Sequence, residues 1–376
     1  MVSKKKQTKI LILVGFSKGP SGVWQRARDE AVEFKNRGYD VTIFSTNAVK
    51  GKPDERADEF DTVEGVPIIR FPYMKLGGES YMTWNFNYEA MKLNPSIIIT
   101  HCYRHTHSDK ALKIAKKLGA KCYCVTHAPF VKERPIPSKF VVWLKDYFSN
   151  ITKFDKIIAI SKWELPLIKQ LGHGVWPSQI KRIPNPLPDK FFDFKTETEA
   201  GDSYGLLFIG RFSEIKQLDV LIRGVGLSDY TNLTMVGTGE DDYLKELYNE
   251  AKMSKVDIDW TGPIYDLDIK LRLYDEHEIF IMSSKREAMS IALVEAMARG
   301  MIVISTRTDG AKELITHGIN GYLYNIGDFK KLGEILNDVK EMSEEDKDKI
   351  KKEAKASVRE FKMSEVMKRW MGVFKK

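Results

Sequence analysis

The sequence has little cysteine, no long apolar run, no short repeat and no low-complexity tract, and each absence narrows what the chain can be. Its three cysteines are Cys102, Cys122 and Cys124. No second pair stands at zinc-ligand spacing, and Cys122 and Cys124 alternate along one apolar stretch. They therefore read as reduced core or edge thiols of a cytoplasmic protein. No stretch approaches the roughly 20 apolar residues that span a bilayer. Lys4, Lys5, Lys6 and Lys9 ahead of Ile10, Leu11, Ile12, Leu13 and Val14 resemble a targeting segment, but the apolar run is short and leads into the loop 15–22 without a small-residue cleavage pattern. A buried first strand is the better reading. There is no P-loop, no complete dinucleotide fingerprint, and no Asp-x-Asp in a loop suited to a metal.

What is present is material for two cores. A chain of 376 residues exceeds one ordinary α/β domain, and 43% hydrophobic with 30% charged residues describes a foldable, soluble chain. Charge is unevenly shared. Residues 1–195 hold 33 basic and 19 acidic side chains, a balance of +14, whereas residues 196–376 hold 27 and 33, a balance of −6. The basic half suits an anionic partner, or is simply a lysine-rich solvated surface.

Apolar runs alternate with helical periodicity throughout. Strands are expected at 9–14, 40–45, 66–71, 96–100, 121–126 and 156–160, with helices at 23–37, 108–118 and 137–152. Gly38 closes the first helix, and Ser161 with Glu164 opens another through a capping box. A polar stretch at 196–202 is the linker candidate. Beyond it the alternation restarts, with strands at 204–209, 232–236, 256–261, 279–282 and 301–305 and helices at 241–252, 267–274 and 290–299. Two such series predict an α/β protein of two doubly wound domains facing a cleft, residues 1–195 and 196–362. The last segment carries Met363, Val366, Met367, Trp370 and Phe374 at helical spacing, and residues 363–376 are expected to pack back on the first domain.

Several residues could carry chemistry. Helix 290–299 is apolar almost all round, with Glu295 in its middle. An ionised carboxylate there needs a partner, which ribose hydroxyls could supply, or else it sits at an exposed edge. Glu287 follows strand 279–282 at the carboxyl end, where ligands of open α/β sheets bind. Gly210, Arg211 and Lys216 lie between a buried strand and a helix and could hold a diphosphate, or be solvated loop cations. Gly237, in a lone Gly-x-Gly after a strand, is a weaker phosphate candidate and could be only a tight turn. Gly22 ends a glycine-containing loop that runs into a helix. His127 ends strand 121–126 and could bind a sugar hydroxyl or manage a proton. The cluster from His101 to His107 lacks a metal pattern.

Taken together, these residues resemble the retaining glycosyltransferases of family 4, which have the GT-B fold of two Rossmann-like domains. Glu287 and Glu295, with seven residues between them, match that family's E-x7-E signature, which continues through Asp309, Gly310, Asn320 and Gly321. Gly210 and Arg211 with Lys216 match its donor clamp. Ile183, Pro184 and Asn185 resemble the segment before the interdomain linker, and residues 158–161 the strand before that. Met289 and Ser290 stand where the family usually has a Phe-Gly-like pair, and Ser21 and Gly22 where it has Gly-Gly.

The resemblance implies that Arg211 and Lys216 neutralise the leaving diphosphate, Glu287 contacts the transferred sugar near the reacting carbon, and Glu295 binds ribose. His127 would touch the sugar from the other domain and Gly22 would lie near phosphate or acceptor, with Gly237, Met289, Ser290 and Ile291 completing the donor pocket. The expected reaction is retaining hexosyl transfer from a UDP- or GDP-linked sugar to a hydroxyl acceptor, in glycan or glycolipid synthesis. No cofactor or catalytic metal and no nucleic acid is expected. Phe140, Val141, Trp143, Leu144, Tyr147 and Phe148, near Lys139 and Lys145, suggest peripheral contact with an anionic membrane and a lipid-linked acceptor, or else a core-facing stripe. A sugar-nucleotide epimerase and a non-catalytic sugar-nucleotide-binding protein are the rival readings.

Overall fold

In a computed structural model of the chain, the described residues are 7–75, 82–127, 143–144, 146–171, 174–193 and 205–375. Contacts divide the chain into two units, Met1–Pro186 with Val366–Lys376, and Leu187–Glu365.

The first unit is built on β1 (Lys9–Phe16), whose residues Ile10 to Val14 are at most 1% exposed. A run buried on both faces belongs in the middle of a parallel sheet. Around it lie β2 (Asp40–Thr46), β5 (Phe60–Val63), β6 (Val66–Phe71), β9 (Ile97–His101), β10 (Lys121–Val125), β11 (Lys156–Ala159) and β12 (Ile180–Arg182), in the order β12-β11-β10-β9-β1-β2-β6-β5. All neighbours are parallel except β5 and β6, a hairpin turned by Glu64 and Gly65 at φ of +47° and +73°. Two further antiparallel pairs join β3 (Ala48–Val49) to β4 (Lys52–Arg56) and β7 (Tyr73–Lys75) to β8 (Met82–Trp84). From β1 the chain lays β2 and β6 on one side, then returns to lay β9 on the other. The reversal of strand order, where open α/β sheets hold ligands, therefore falls between β1 and β9.

The second unit repeats the plan with β13 (Leu206–Ile209), β14 (Asn232–Val236), β15 (Asp257–Thr261), β16 (Ile279–Met282), β17 (Ile302–Thr306) and β18 (Tyr322–Tyr324), all parallel in the order β15-β14-β13-β16-β17-β18. Its reversal lies between β13 and β16. Leu206, Phe208, Leu221, Met235, Ile281 and Leu332 form part of one core between the sheet and its helices. The protein is α/β, with two Rossmann-like units of the GT-B fold.

Some expectations change. The division falls at Leu187, whose N–H donates to Phe361 O and whose carbonyl accepts from Met363 N–H, both at 2.8 Å. The stretch 196–202 lies outside the described residues, as do 137–142 and 145 of the expected helix 137–152. Of that helix, Trp143, Leu144, Asp146 and Tyr147 are helical, and a short 3-10 turn follows at Asn150–Lys153. The helix expected from Ser161 starts at Leu165 instead. Glu164 does fold back on Ser161, accepting from its N–H at 3.1 Å and its hydroxyl at 2.7 Å, but it also takes Ile160 N–H and Thr126 Oγ1, which holds the chain in a turn.

The terminal helix spans Met363–Phe374, and from Val366 onward it belongs to the first unit. Trp370 is fully buried, with its ring 5.7 Å from Phe34 in edge contact and its Nε1 donating to Glu30 Oε1 at 2.8 Å. Removing a buried tryptophan leaves a large cavity, and here it also takes a donor from a buried carboxylate. Trp370→Ala should therefore cost about 3–5 kcal/mol in chemical denaturation. Trp370→Phe, which keeps much of the ring volume, should lose only about 1–2 kcal/mol.

Candidate functional site

At the reversal point of the second unit, the loops after β13 and β16 are tied into one surface. Gly210 follows β13, and Phe212 N–H donates to Thr238 O at 2.8 Å. A Cβ on Gly237 would stand 1.9 Å from Gly210 O, and one on Gly239 2.3 Å from Phe212 O. These glycines thus let two loops touch, which gives Gly237 a packing role. The 3-10 turn Glu214–Lys216 is held to the loop after β16. Ser283 Oγ donates to Lys216 O at 2.6 Å and Lys285 N–H to Ile215 O at 2.8 Å. From the far side, Gly310 N–H donates to Glu287 O at 3.1 Å, and any side chain at 310 would strike Ala288 O at 2.6 Å.

This pinning brings Lys216 Nζ to 2.6 Å from Glu287 Oε2, with both side chains about one-fifth exposed. Arg211 is exposed and, among the described residues, enters no ion pair. Just beyond Glu287, helix Ile291–Arg299 opens with Ser290 as its cap, its Oγ accepting from Leu293 N–H at 3.3 Å. The first amides of a helix carry partial positive charge and suit an anion. Met289 and Ser290 are 6% and 7% exposed: Met289 packs into the core, Ser290 caps the helix, and the half-buried Ile291 offers its backbone N–H. The arrangement therefore places two cations, a carboxylate and a helix terminus at the carboxyl end of one sheet.

Glu295 corrects a step of the sequence argument. It is 1% exposed, yet its charge is met inside the protein: Lys270 Nζ lies 2.6 Å from Oε1 and Tyr274 Oη 2.7 Å from Oε2. Burial, then the Glu295 charge, pushes the Tyr274 hydroxyl well above its usual value, so it remains a donor. No ribose is needed to neutralise this carboxylate.

In the first unit, His127 and the loop of Gly22 lie at the carboxyl ends of β10 and β1. Gly22 is exposed and opens helix Gly22–Asn36, capped by Ser21. His127 adopts a left-handed φ of +54°, and its Nε2 meets His101 Nδ1 at 2.9 Å. Desolvation, then Arg26 and His105, holds the His127 imidazole well below its usual value, so it is neutral at pH 7. The sequence reading set His101 aside and did not single out Arg26, Glu30, Lys270 or Tyr274. Arg26 and Glu30 stand four apart on a helix, a spacing that could have found them. Of the proposed membrane-facing residues, Trp143, Leu144, Tyr147 and Phe148 are 54%, 41%, 41% and 69% exposed, so this part of the stripe does not face the core. Phe140, Val141, Lys139 and Lys145 lie outside the described residues. No helix among the described residues is long and apolar enough to cross a membrane.

Comparison with known proteins settles the family. The model of Glycosyltransferase Family 4 matches residues 20–191, and that of Glycosyl transferases group 1 matches residues 189–357. The chain belongs to the family 4 glycosyltransferases. Among its relatives, spore coat protein SA of Bacillus subtilis is 30% identical over 153 residues, 37% of this chain and 40% of that protein. The amylovoran biosynthesis glycosyltransferase AmsK of Erwinia amylovora is 28% identical over 240 residues, 60% of this chain and 56% of that one. The aligned part is thus well short of the full length of either relative. Anabaena HepE, solved in complex with UDP-glucose, shares 19% identity with a TM-score of 0.74, covering 98% of this chain and all of that one.

The Glu295 pairing has a measurable consequence. Lys270→Met strands a buried carboxylate. It should cost roughly 3 kcal/mol in chemical denaturation, the low end for a broken buried pair, because Tyr274 still donates. Lys270→Met combined with Glu295→Gln should recover most of that loss; a double variant no more stable than the single one would deny the pairing.

Proposed function

We propose that this family 4 glycosyltransferase moves a hexose from a UDP- or GDP-linked donor to a hydroxyl acceptor with retention of configuration, and that it works without a catalytic metal. The observation that carries this reading is the Lys216–Glu287 contact at the reversal point of the second unit, beside the exposed Arg211. Cleavage of a sugar–diphosphate bond sends the electron pair to the phosphate oxygen and leaves positive charge on the ring. The two charges develop a few ångströms apart, so a cation and a carboxylate within hydrogen-bond distance match them both. In the proposed donor complex, Lys216 turns from Glu287 to the diphosphate, Arg211 joins it, and the amides at Ile291 take a phosphate oxygen. Glu287, released from its lysine, faces the ring.

His127 would meet a hydroxyl of the transferred sugar, and Gly22, with no side chain on an exposed helix start, would let phosphate or acceptor approach the backbone. A ribose would have to share Glu295 with Lys270, so the proposal rests on the diphosphate clamp and not on that contact. The UDP-glucose bound by Anabaena HepE supports a nucleotide-sugar donor. An acceptor carried on an anionic membrane is supported by the exposed Trp143, Leu144, Tyr147 and Phe148 in the basic half of the chain.

A panel of nucleotide sugars, incubated with and without acceptors, tests the reading through release of nucleoside diphosphate. Conversion of the donor to an isomeric nucleotide sugar would instead indicate an epimerase. With the matched donor, Arg211→Ala and Lys216→Ala should each lower kcat about 10²–10³-fold while melting like wild type. Lys216→Arg should rescue poorly, since a guanidinium fork does not replace a compact ammonium. EDTA should leave turnover unchanged. Near wild-type turnover in both alanine variants would remove the clamp, and complete loss with EDTA would reveal a metal.

The membrane contact has its own test. Sedimentation with phosphatidylserine-containing liposomes should capture the protein at low salt and release it as salt rises. No binding at low salt would count against the membrane-borne acceptor.

A further inference from the structure

Arg26 and Glu30 lie one turn apart on helix Gly22–Asn36, and neither side chain reaches solvent. Glu30 Oε1 accepts from Arg26 Nε at 2.9 Å and from Trp370 Nε1 at 2.8 Å, while Arg26 Nη1 donates to Asn185 Oδ1 at 3.1 Å. Glu30 Oε2 is left buried with no hydrogen-bond partner. Facing it at 3.9 Å is His101 Nε2, also buried and also without a partner. The other nitrogen of that ring, Nδ1, meets His127 Nε2 at 2.9 Å. The line from Trp370 and Arg26 through Glu30 and His101 to His127 lies wholly within the first unit.

The protons on this line can be placed. Burial, and then His127, Arg26 and His107, keeps the His101 imidazole neutral, so its ring carries one proton. With that proton on Nδ1, the lone pairs of His101 Nε2 and Glu30 Oε2 would oppose each other in a low-dielectric interior. With the proton on Nε2, the positive end of an N–H instead stands near the carboxylate oxygen that otherwise lacks a donor, an attraction across 3.9 Å in a low-dielectric interior. The second arrangement wins. His101 Nδ1 is then an acceptor, so His127 Nε2 must donate to it. His127 is neutral too, and its remaining nitrogen, Nδ1, is left with a lone pair. Among the described residues nothing bonds to that nitrogen.

We propose that Glu30 and His101 are positioning residues that hold His127 as the Nε2–H tautomer, so that its Nδ1 accepts from a hydroxyl of the transferred sugar. The inference rests on the reading that His127 meets substrate. Left to itself a histidine can offer either a donor or an acceptor; here the buried carboxylate two residues back along the relay makes the choice. Trp370 and Arg26 hold that carboxylate in place.

Long-range proton–nitrogen NMR on the full chain, labelled with ¹⁵N-histidine, reads each ring tautomer directly, and spectra of His101→Asn and His127→Gln assign the two rings. Both should be neutral and protonated at Nε2. In Glu30→Gln, the side-chain oxygen stays with Arg26 and Trp370, and the amide N–H faces His101 Nε2. That should reverse the relay and move the proton to Nδ1 in both rings. Nucleoside diphosphate release from UDP-glucose or GDP-mannose, whichever the wild type turns over, should fall about 10–100-fold in kcat, with UDP affinity unchanged. A wild-type His127 protonated at Nδ1 overturns the relay, even if Glu30→Gln fails to fold. Tautomers that reverse with no change in kcat overturn the substrate contact of His127 and leave the relay standing.

Discussion

Everything proposed for the second unit depends on one constraint: the loops after β13 and β16 leave adjacent strands in the same direction and must be locked together. Parallel pairing of Leu206 with Ile279 and of Leu207 with Phe280 sets both strand ends at one level. The lock is then made by backbone and small groups, through Ser283 to Lys216 O, Lys285 N–H to Ile215 O, and Gly310 against Glu287 O. None of these bonds is itself chemical machinery. Together they bring a lysine from one loop and a glutamate from another to 2.6 Å without requiring either to be buried. An ion pair about one-fifth exposed is still reached by solvent, so its charges remain available to a ligand.

The two units apply the same principle differently. In the second, charge stands at the surface and is committed only to another movable side chain. In the first, the carboxylate is fully enclosed and acts only through the ring of His101. One edge is fitted to take up charge that moves; the other is fitted to fix the direction of a hydrogen bond.

Much of this was legible in the sequence because strands of a parallel sheet, covered on both faces, read as unbroken apolar runs. β14 and β16 fall where periodicity put them, at Asn232–Val236 and Ile279–Met282, and the terminal helix runs from Met363 to Phe374 as its stripe required. The hairpin at Glu64 and Gly65 was there to be read as a two-residue turn but lay in a stretch of weak alternation. What sequence could not show was which distant partner a buried charge had. Lys270 reaches Glu295 from another helix, 25 positions earlier. His101 and His127 become neighbours only because β9 and β10 pair in the register that sets His101 beside Val125.

The first unit is discontinuous, since its last helix is encoded after the whole of the second unit. As the chain is synthesised, the second unit is complete before Val366–Lys376 leaves the ribosome. Until then, the groove beside Phe34 and the carboxylate of Glu30 stay uncovered. Domains ordinarily fold in the order in which they are made. Here the unit started first is closed only by residues encoded after the whole of the second, and these cover its buried carboxylate.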